Sequence, residues 1–169
     1  MAAWVAAERG KGRPMPNQKT LEGVDGLKAV LGQQLGASER KELAYEDIVR
    51  FAEATGDFQW IHVDRERCKR ESPFGVPIAH GYFSVSRIAG LFFEIIDVRG
   101  FGLVLNYGLN KVRFPAPLKL GARYRLTLKL AELKDLPKGV EALLLANIEV
   151  EGEAKPACSA EVVYRFMLA

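Results

Sequence analysis

Histidine is scarce in this chain: of 169 residues only two are histidines, His62 and His80. That excludes a histidine-rich metal centre, so no metal site is expected, and imidazole chemistry is confined to two positions. Cysteine is equally rare. Cys68 and Cys158 are far apart and neither sits in a paired ligand motif, so they read as buried thiols in a reducing compartment rather than a disulfide framework. Long hydrophobic runs are missing as well. The longest, Ile88 to Ile96, is broken by Glu94 and is too short to span a bilayer. The N-terminus lacks the apolar core of a secretory signal, so a cytoplasmic protein with no membrane span is the expectation. Nor is there a concentrated basic stripe. Net charge is +3 with the cations dispersed, which argues against a nucleic-acid partner.

What is present suits one domain with a sizeable core: 49% of the residues are hydrophobic. Residues 1–19 carry Gly10, Gly12, Pro14 and Pro16 between basic residues without a period, and read as a disordered leader to a single domain over 20–169. Leu27, Val30 and Leu31 have helical spacing within Leu21 to Leu35, although glycines interrupt it. Tyr45 to Thr55 is a better helix, with Ile48, Phe51 and Ala52 on one face, Glu46 and Asp47 in the first turn and Gly56 to stop it. Asp57 to Pro77 reads as loop with one short helix near Asp64 to Arg70, followed by the turn cluster Ser72 to Pro77. The longest helix is expected over Tyr82 to Asp97, where Val85, Ile88, Ala89, Phe92, Ile95 and Ile96 form a broad apolar stripe.

After Gly100 the period changes to two. Leu103 to Phe114 is one strand, closed by Pro115-Ala116-Pro117. Tyr124 to Leu130, Ala142 to Val150 and Cys158 to Phe166 alternate in the manner of half-buried strands. Helices first and strands after give an α+β fold with an antiparallel sheet.

The most informative segment is Gly56-Asp57-Phe58-Gln59-Trp60-Ile61-His62, followed eighteen residues later by His80-Gly81. On a helix, Asp57 and His62 would occupy different faces. To share a site they must flank a turn, which Gly56 can start as a left-handed cap.

Several words here resemble one family in the right order. Phe51 to Asp57, Ile61-His62-Val63-Asp64, Pro73-Phe74-Gly75, Ile78-Ala79-His80-Gly81 and Asn106 to Pro115 are similar to the hydratase-2 pattern of MaoC-like (R)-specific enoyl-CoA hydratases and dehydratases, nearest the nodulation-protein-N-like branch. The resemblance covers roughly residues 40–168. It implies a hot-dog fold, an antiparallel sheet wrapped around a long helix, in a homodimer whose sheets join edge to edge near the active sites. It implies Asp57 and His62 as a catalytic dyad and Gly81 as the oxyanion contact, with no metal and no redox cofactor. The implied substrate is an acyl-CoA or acyl-carrier-protein thioester of fatty-acid metabolism.

The chemistry fits those residue types. Hydrating an α,β-unsaturated thioester requires a held and deprotonated water, a proton for the α-carbon and stabilisation of the thioester oxygen. A carboxylate and a neutral imidazole can orient one water. Unpartnered N–H groups at the start of the Tyr82 helix can hold the oxygen, with Gly81 allowing close approach. The working order has Asp57 as base and His62 delivering the proton in a syn addition, although sequence leaves open which member does which. His80 reads as support for the loop before Gly81. Ser84 and Ser86 are candidates to line the pocket. Gln59-Trp60 replaces the commoner Asn-Pro, so Trp60 bears on pocket width. Lys69, Arg70, Lys111 and Arg113 are candidates to meet CoA phosphates or an anionic carrier. Two alternatives stay open: a hot-dog thioesterase, and a non-catalytic acyl-thioester-binding protein.

Overall fold

The computed structural model of the chain describes residues 18–169. The expected leader lies, as far as residue 17, outside the described residues. Gln18 and Lys19 already belong to the fold: the Gln18 amide donates to the carbonyl of Phe93 at 2.7 Å. Lys19 opens β1 (Lys19–Glu22), which runs parallel to β4 (Ile96–Arg99). That pairing overrides the helical spacing expected over Leu21 to Leu35. Only α1 (Gly23–Lys28) is helical there, and the chain then turns into β2 (Gln34–Ala37). Leu21, Leu27, Val30 and Leu35 are all buried. The apolar positions are core positions, but they are divided among successive elements.

Local signals decide the next stretch. β3 (Lys41–Glu42) leads into α2 (Tyr45–Thr55), whose end is set by Gly56 at φ 75°, with its N–H on the Ala52 carbonyl at 2.8 Å. A single turn, α3 (Trp60–Val63), follows where sequence reads only loop. α4 (Arg65–Glu71) is capped by Asp64, whose carboxylate accepts the Arg67 N–H at 2.8 Å.

The long helix is α5 (Gly81–Ile95). It stops short of the expected end because Ile96 and Asp97 leave it to pair with Lys19 and Thr20. Four long antiparallel strands complete the domain: β5 (Leu103–Arg113), β6 (Arg123–Leu136), β7 (Gly139–Val150) and β8 (Cys158–Met167). Their order is β2-β6-β7-β8-β5, with β3 also on β6. The period-two positions all face inward: Leu126 and Leu128, Ala142 and Leu144, Val162 and Tyr164 are buried. Against them α5 buries Ile88, Leu91, Phe92 and Ile95, and the Phe92 ring stacks on Tyr164 at 4.7 Å between centroids. Each such side chain contributes about 1.5–3 kcal/mol on burial. A helix held in the curve of an antiparallel sheet is the hot-dog arrangement.

This packing fixes one end of α5. The segment before it is pinned on two sides: the Ile78 N–H donates to Ile61 of α3 at 3.1 Å, and the Ala79 N–H to Leu118 at 2.8 Å. The loop after β5 and the α2–α3 connection therefore meet at the N-terminus of α5.

Candidate active site

Asp57 follows the left-handed Gly56 directly, so the cap that ends α2 also aims this carboxylate. Its side chain is 54% exposed, and Oδ1 accepts the Gln59 N–H at 3.3 Å. The turn role and the site role coexist in one residue. His62 sits in α3, only 6% exposed, with Nδ1 at 2.7 Å from the Ile78 carbonyl. A carbonyl only accepts, so Nδ1 carries the proton and the neutral ring keeps its lone pair on Nε2.

His80, the N-cap residue of α5, is 3% exposed. Its Nε2 donates to the backbone carbonyl of Asp57 at 2.9 Å and lies 3.9 Å from the Asp57 carboxylate. Its Nδ1 is buried without a hydrogen-bond partner. The two imidazoles stack, 3.8 Å between centroids and 27° between planes. Burial pushes the His62 pKa below its usual value. The Ile78 hydrogen bond and the Asp57 charge oppose that shift, while His80 adds to it.

Donor atoms of Asp57, His62 and His80 lie within 4.8 Å of one another, the one trio among the described residues close enough to hold a metal ion. Two of its ring nitrogens are already committed to backbone carbonyls.

Beside His62 opens a cleft of about 300 Å³, walled by Phe74, Ile78, Ala79, Phe114, Pro117 and Leu118 and reaching Gly81. The walls are apolar and His62 is the one titratable residue among them, which suits a ligand with a hydrocarbon tail and one reactive head. The first N–H groups of α5 have no intrahelical partner. Gly81 differs from expectation in one respect. A Cβ there would lie 2.8 Å from the Phe114 ring. The glycine is required by that ring, not only by an approaching substrate.

The remaining expected residues are placed as follows. Ser84 is buried in α5, and Ser86 is exposed with its hydroxyl donating back to the Tyr82 carbonyl at 2.8 Å. Neither lines the cleft. Trp60 turns away from it toward α4, where the Arg67 guanidinium covers its ring at 4.4 Å. Phe74 and Phe114 are among the walls of the cleft, and Trp60 is not. Lys69 and Arg70 are exposed on α4, and Lys111 and Arg113 on β5. Arg70 lies 3.8 Å from Glu71, and Arg113 donates to the Val112 carbonyl at 2.7 Å. They border the elements of the site without entering the cleft. Sequence reasoning missed the Ile78 carbonyl and the Phe114 wall. The Pro115-Ala116-Pro117 turn was the available signal for the latter.

Comparison with known proteins agrees with this geometry. The chain matches the MaoC-like domain family over residues 27–148. It is 45% identical over 150 residues to 3-hydroxyacyl-thioester dehydratase Z of Mycobacterium tuberculosis, spanning 88% of this chain and 99% of that protein. It is 40% identical over 134 residues to nodulation protein N of Rhizobium leguminosarum bv. viciae, spanning 77% and 82% of the two chains. Among solved structures, the (R)-hydratase of A. caviae involved in PHA biosynthesis aligns with a TM-score of 0.67. That alignment covers 80% of this chain and 96% of that one at 23% identity, a likeness of fold. The family match and the 45% identity, laid over a hot-dog fold with a carboxylate and an imidazole at the start of its long helix, show that the chain belongs to the MaoC-like dehydratases.

Proposed function

We propose that this chain is an (R)-specific enoyl-thioester hydratase and dehydratase. It adds water reversibly and syn across a trans-2-enoyl thioester to give the (R)-3-hydroxyacyl thioester. One observation carries the reading: His62 and Gly81, at the N-terminus of α5, line a single apolar cleft, and the Asp57 carboxylate lies within 4.8 Å of a ring nitrogen of His62.

In the hydration direction a water rests between Asp57 and His62. It gives one proton to Nε2 of neutral His62 while its oxygen bonds to the β-carbon, and the π electrons move onto the thioester oxygen. N–H groups at the start of α5, Gly81 foremost, hold that charge. The imidazolium returns the proton from Nε2 to the α-carbon on the same face, which makes the addition syn. The Asp57 carboxylate accepts a hydrogen bond from the water's second O–H, which remains on the product hydroxyl, and its charge stabilises the imidazolium. This order moves the base from Asp57 to His62 and keeps His62 as the residue that delivers the proton. A neutral His62 whose Nδ1–H is held by Ile78 has no proton on Nε2 to deliver until it has taken one.

The reaction as drawn uses no metal and no redox cofactor, and protein treated with a chelator keeps its full rate on this reading. The acyl carrier is CoA or an acyl-carrier protein, with the exposed Lys69, Arg70, Lys111 and Arg113 as candidate cations for its phosphates or acidic surface. The working unit is a homodimer. Among the described residues β5 pairs only with β8, so its other edge is open to a second sheet, and Tyr107, Leu109 and Phe114 on or beside it are exposed. No described helix is long and apolar enough to cross a membrane, and action on carrier-bound thioesters in the cytoplasm suits the proposed reaction.

Purified protein mixed with trans-2-enoyl-CoAs of increasing chain length tests the reading. Loss of the conjugated enoyl absorbance without thiol release is the expected result. Thiol release in its place would make the chain a thioesterase, and binding without turnover a binding protein.

A further inference from the structure

We infer that His80 is a positioning residue: it ties the Asp57 backbone to the N-terminus of α5 and fixes the plane of His62, without touching the substrate. The inference rests on the reaction proposed above and adds a third side chain to its machinery.

Three contacts of one side chain carry it. The Nε2–H holds the Asp57 carbonyl at 2.9 Å, which fixes the residue that bears the carboxylate. The ring lies face to face with His62 at 3.8 Å, so it sets the plane in which Nε2 of His62 points. Phe51 of α2 backs the ring from another side at 5.1 Å. The main chain of His80 does the rest. It is the N-cap of α5, and its carbonyl accepts the Phe83 N–H at 3.1 Å, so its position also fixes the N–H groups offered to the thioester oxygen.

No other side chain of this size supplies both parts, since tyrosine and tryptophan carry their donors on larger rings. Glutamine has a donor at its tip but no ring to stack, and phenylalanine has the ring without the donor. At 3% exposure, a residue kept only to fill space would be apolar. Instead Nδ1 is buried with no partner, a cost that an aromatic hydrocarbon would avoid. The donor on the other side of the ring explains why the cost is borne.

The stack also bears on when His62 can be charged. The groups facing His62 are Asp57 before α3, which favours the imidazolium, and His80 at the start of α5, which opposes it. From α4, Cys68 lies against the Trp60 and Ile61 carbonyls, and burial pushes its thiol up, so it stays neutral. Removing the second imidazole takes away that opposition and leaves burial alone against Asp57 and the Ile78 hydrogen bond.

Because the chain has only two histidines, the test is direct. Tag-free full-length protein and its H80Q and H80F variants are titrated by NMR, where the single imidazole left in each variant is His62. Hydration kinetics are measured on the same samples. The His62 midpoint should move upward in both variants. In H80F, kcat should fall about 100-fold, the scale of a misplaced catalytic group, with KM nearly unchanged. H80Q, which keeps a donor, should recover much of that loss. An unmoved His62 midpoint, or wild-type kcat in H80F, overturns the inference. If H80F does not fold, the H80Q titration decides alone. A moved midpoint in protein that hydrates nothing would leave the positioning role standing and remove the proposed reaction instead.

Discussion

His62 holds its proton on Nδ1 through the Ile78 carbonyl, and burial keeps the ring neutral further into acid than a free imidazole. Activity that begins with neutral His62 therefore loses its acidic side with a midpoint below the ordinary value of 6.5. A kcat/KM profile checks this, and a midpoint above 6.5 would contradict it. Stability follows by linkage. Between the lowered folded value and 6.5 the unfolded chain binds more protons, so stability rises with pH across that window and falls again as pH drops through it. Gly81 and Phe114 make a second prediction. A Cβ at 81 meets the far end of an exposed ring that can move, so G81A should cost no more than about 1 kcal/mol as that ring is displaced. The cost should shrink in an F114A background, as thermal unfolding of all four proteins would show; equal costs in both would mean that the ring is not what the glycine accommodates. Much of this scale was legible in advance. Asp57, His62 and Gly81 form a dense local pattern, whereas the stacking of His80 on His62 joins two segments that only the folded chain brings together. The place of Trp60 was not legible either, since Arg67 one turn into α4 draws it away.

At the scale of elements, local chemistry and long-range pairing divide the credit. α2 matches its expected limits because its start and its left-handed stop are written within the segment itself. β6, β7 and β8 match because period-two burial follows directly from strand geometry. The failures occur where distant segments meet. β1 and β4 pair across the domain, so one shortens an expected helix at its start and the other shortens α5 at its end. The seam between α5 and the sheet offers its own prediction. The Tyr164 hydroxyl is buried without a partner, and burial pushes its pKa far above the usual phenol value. Its ring, stacked on Phe92, does the packing. Tyr164→Phe should therefore leave stability unchanged or raise it by about 1 kcal/mol, measured by chemical denaturation. A loss of 2 kcal/mol or more would mean that the hydroxyl has a partner.

For the whole molecule, one edge of the sheet among the described residues is β5, which leads into the Phe114 to Leu118 wall of the cleft. If two copies join there, L109K places a charge on that edge and should convert dimer to monomer in sedimentation or light scattering. An unchanged mass would place the interface elsewhere. Architecture and site meet in one place: the fold sets a carboxylate, an imidazole and a helix N-terminus beside an apolar cleft, and in the proposed reaction they act there on one water. The measurement that tests it most directly is hydration of a trans-2-enoyl-CoA by wild-type, D57N and H62Q proteins of confirmed fold, with chiral analysis of the product. The account predicts the (R)-3-hydroxyacyl thioester from wild type and a rate lower by at least about 100-fold in each variant. A near-normal rate in either variant, or the (S) product from wild type, would contradict it.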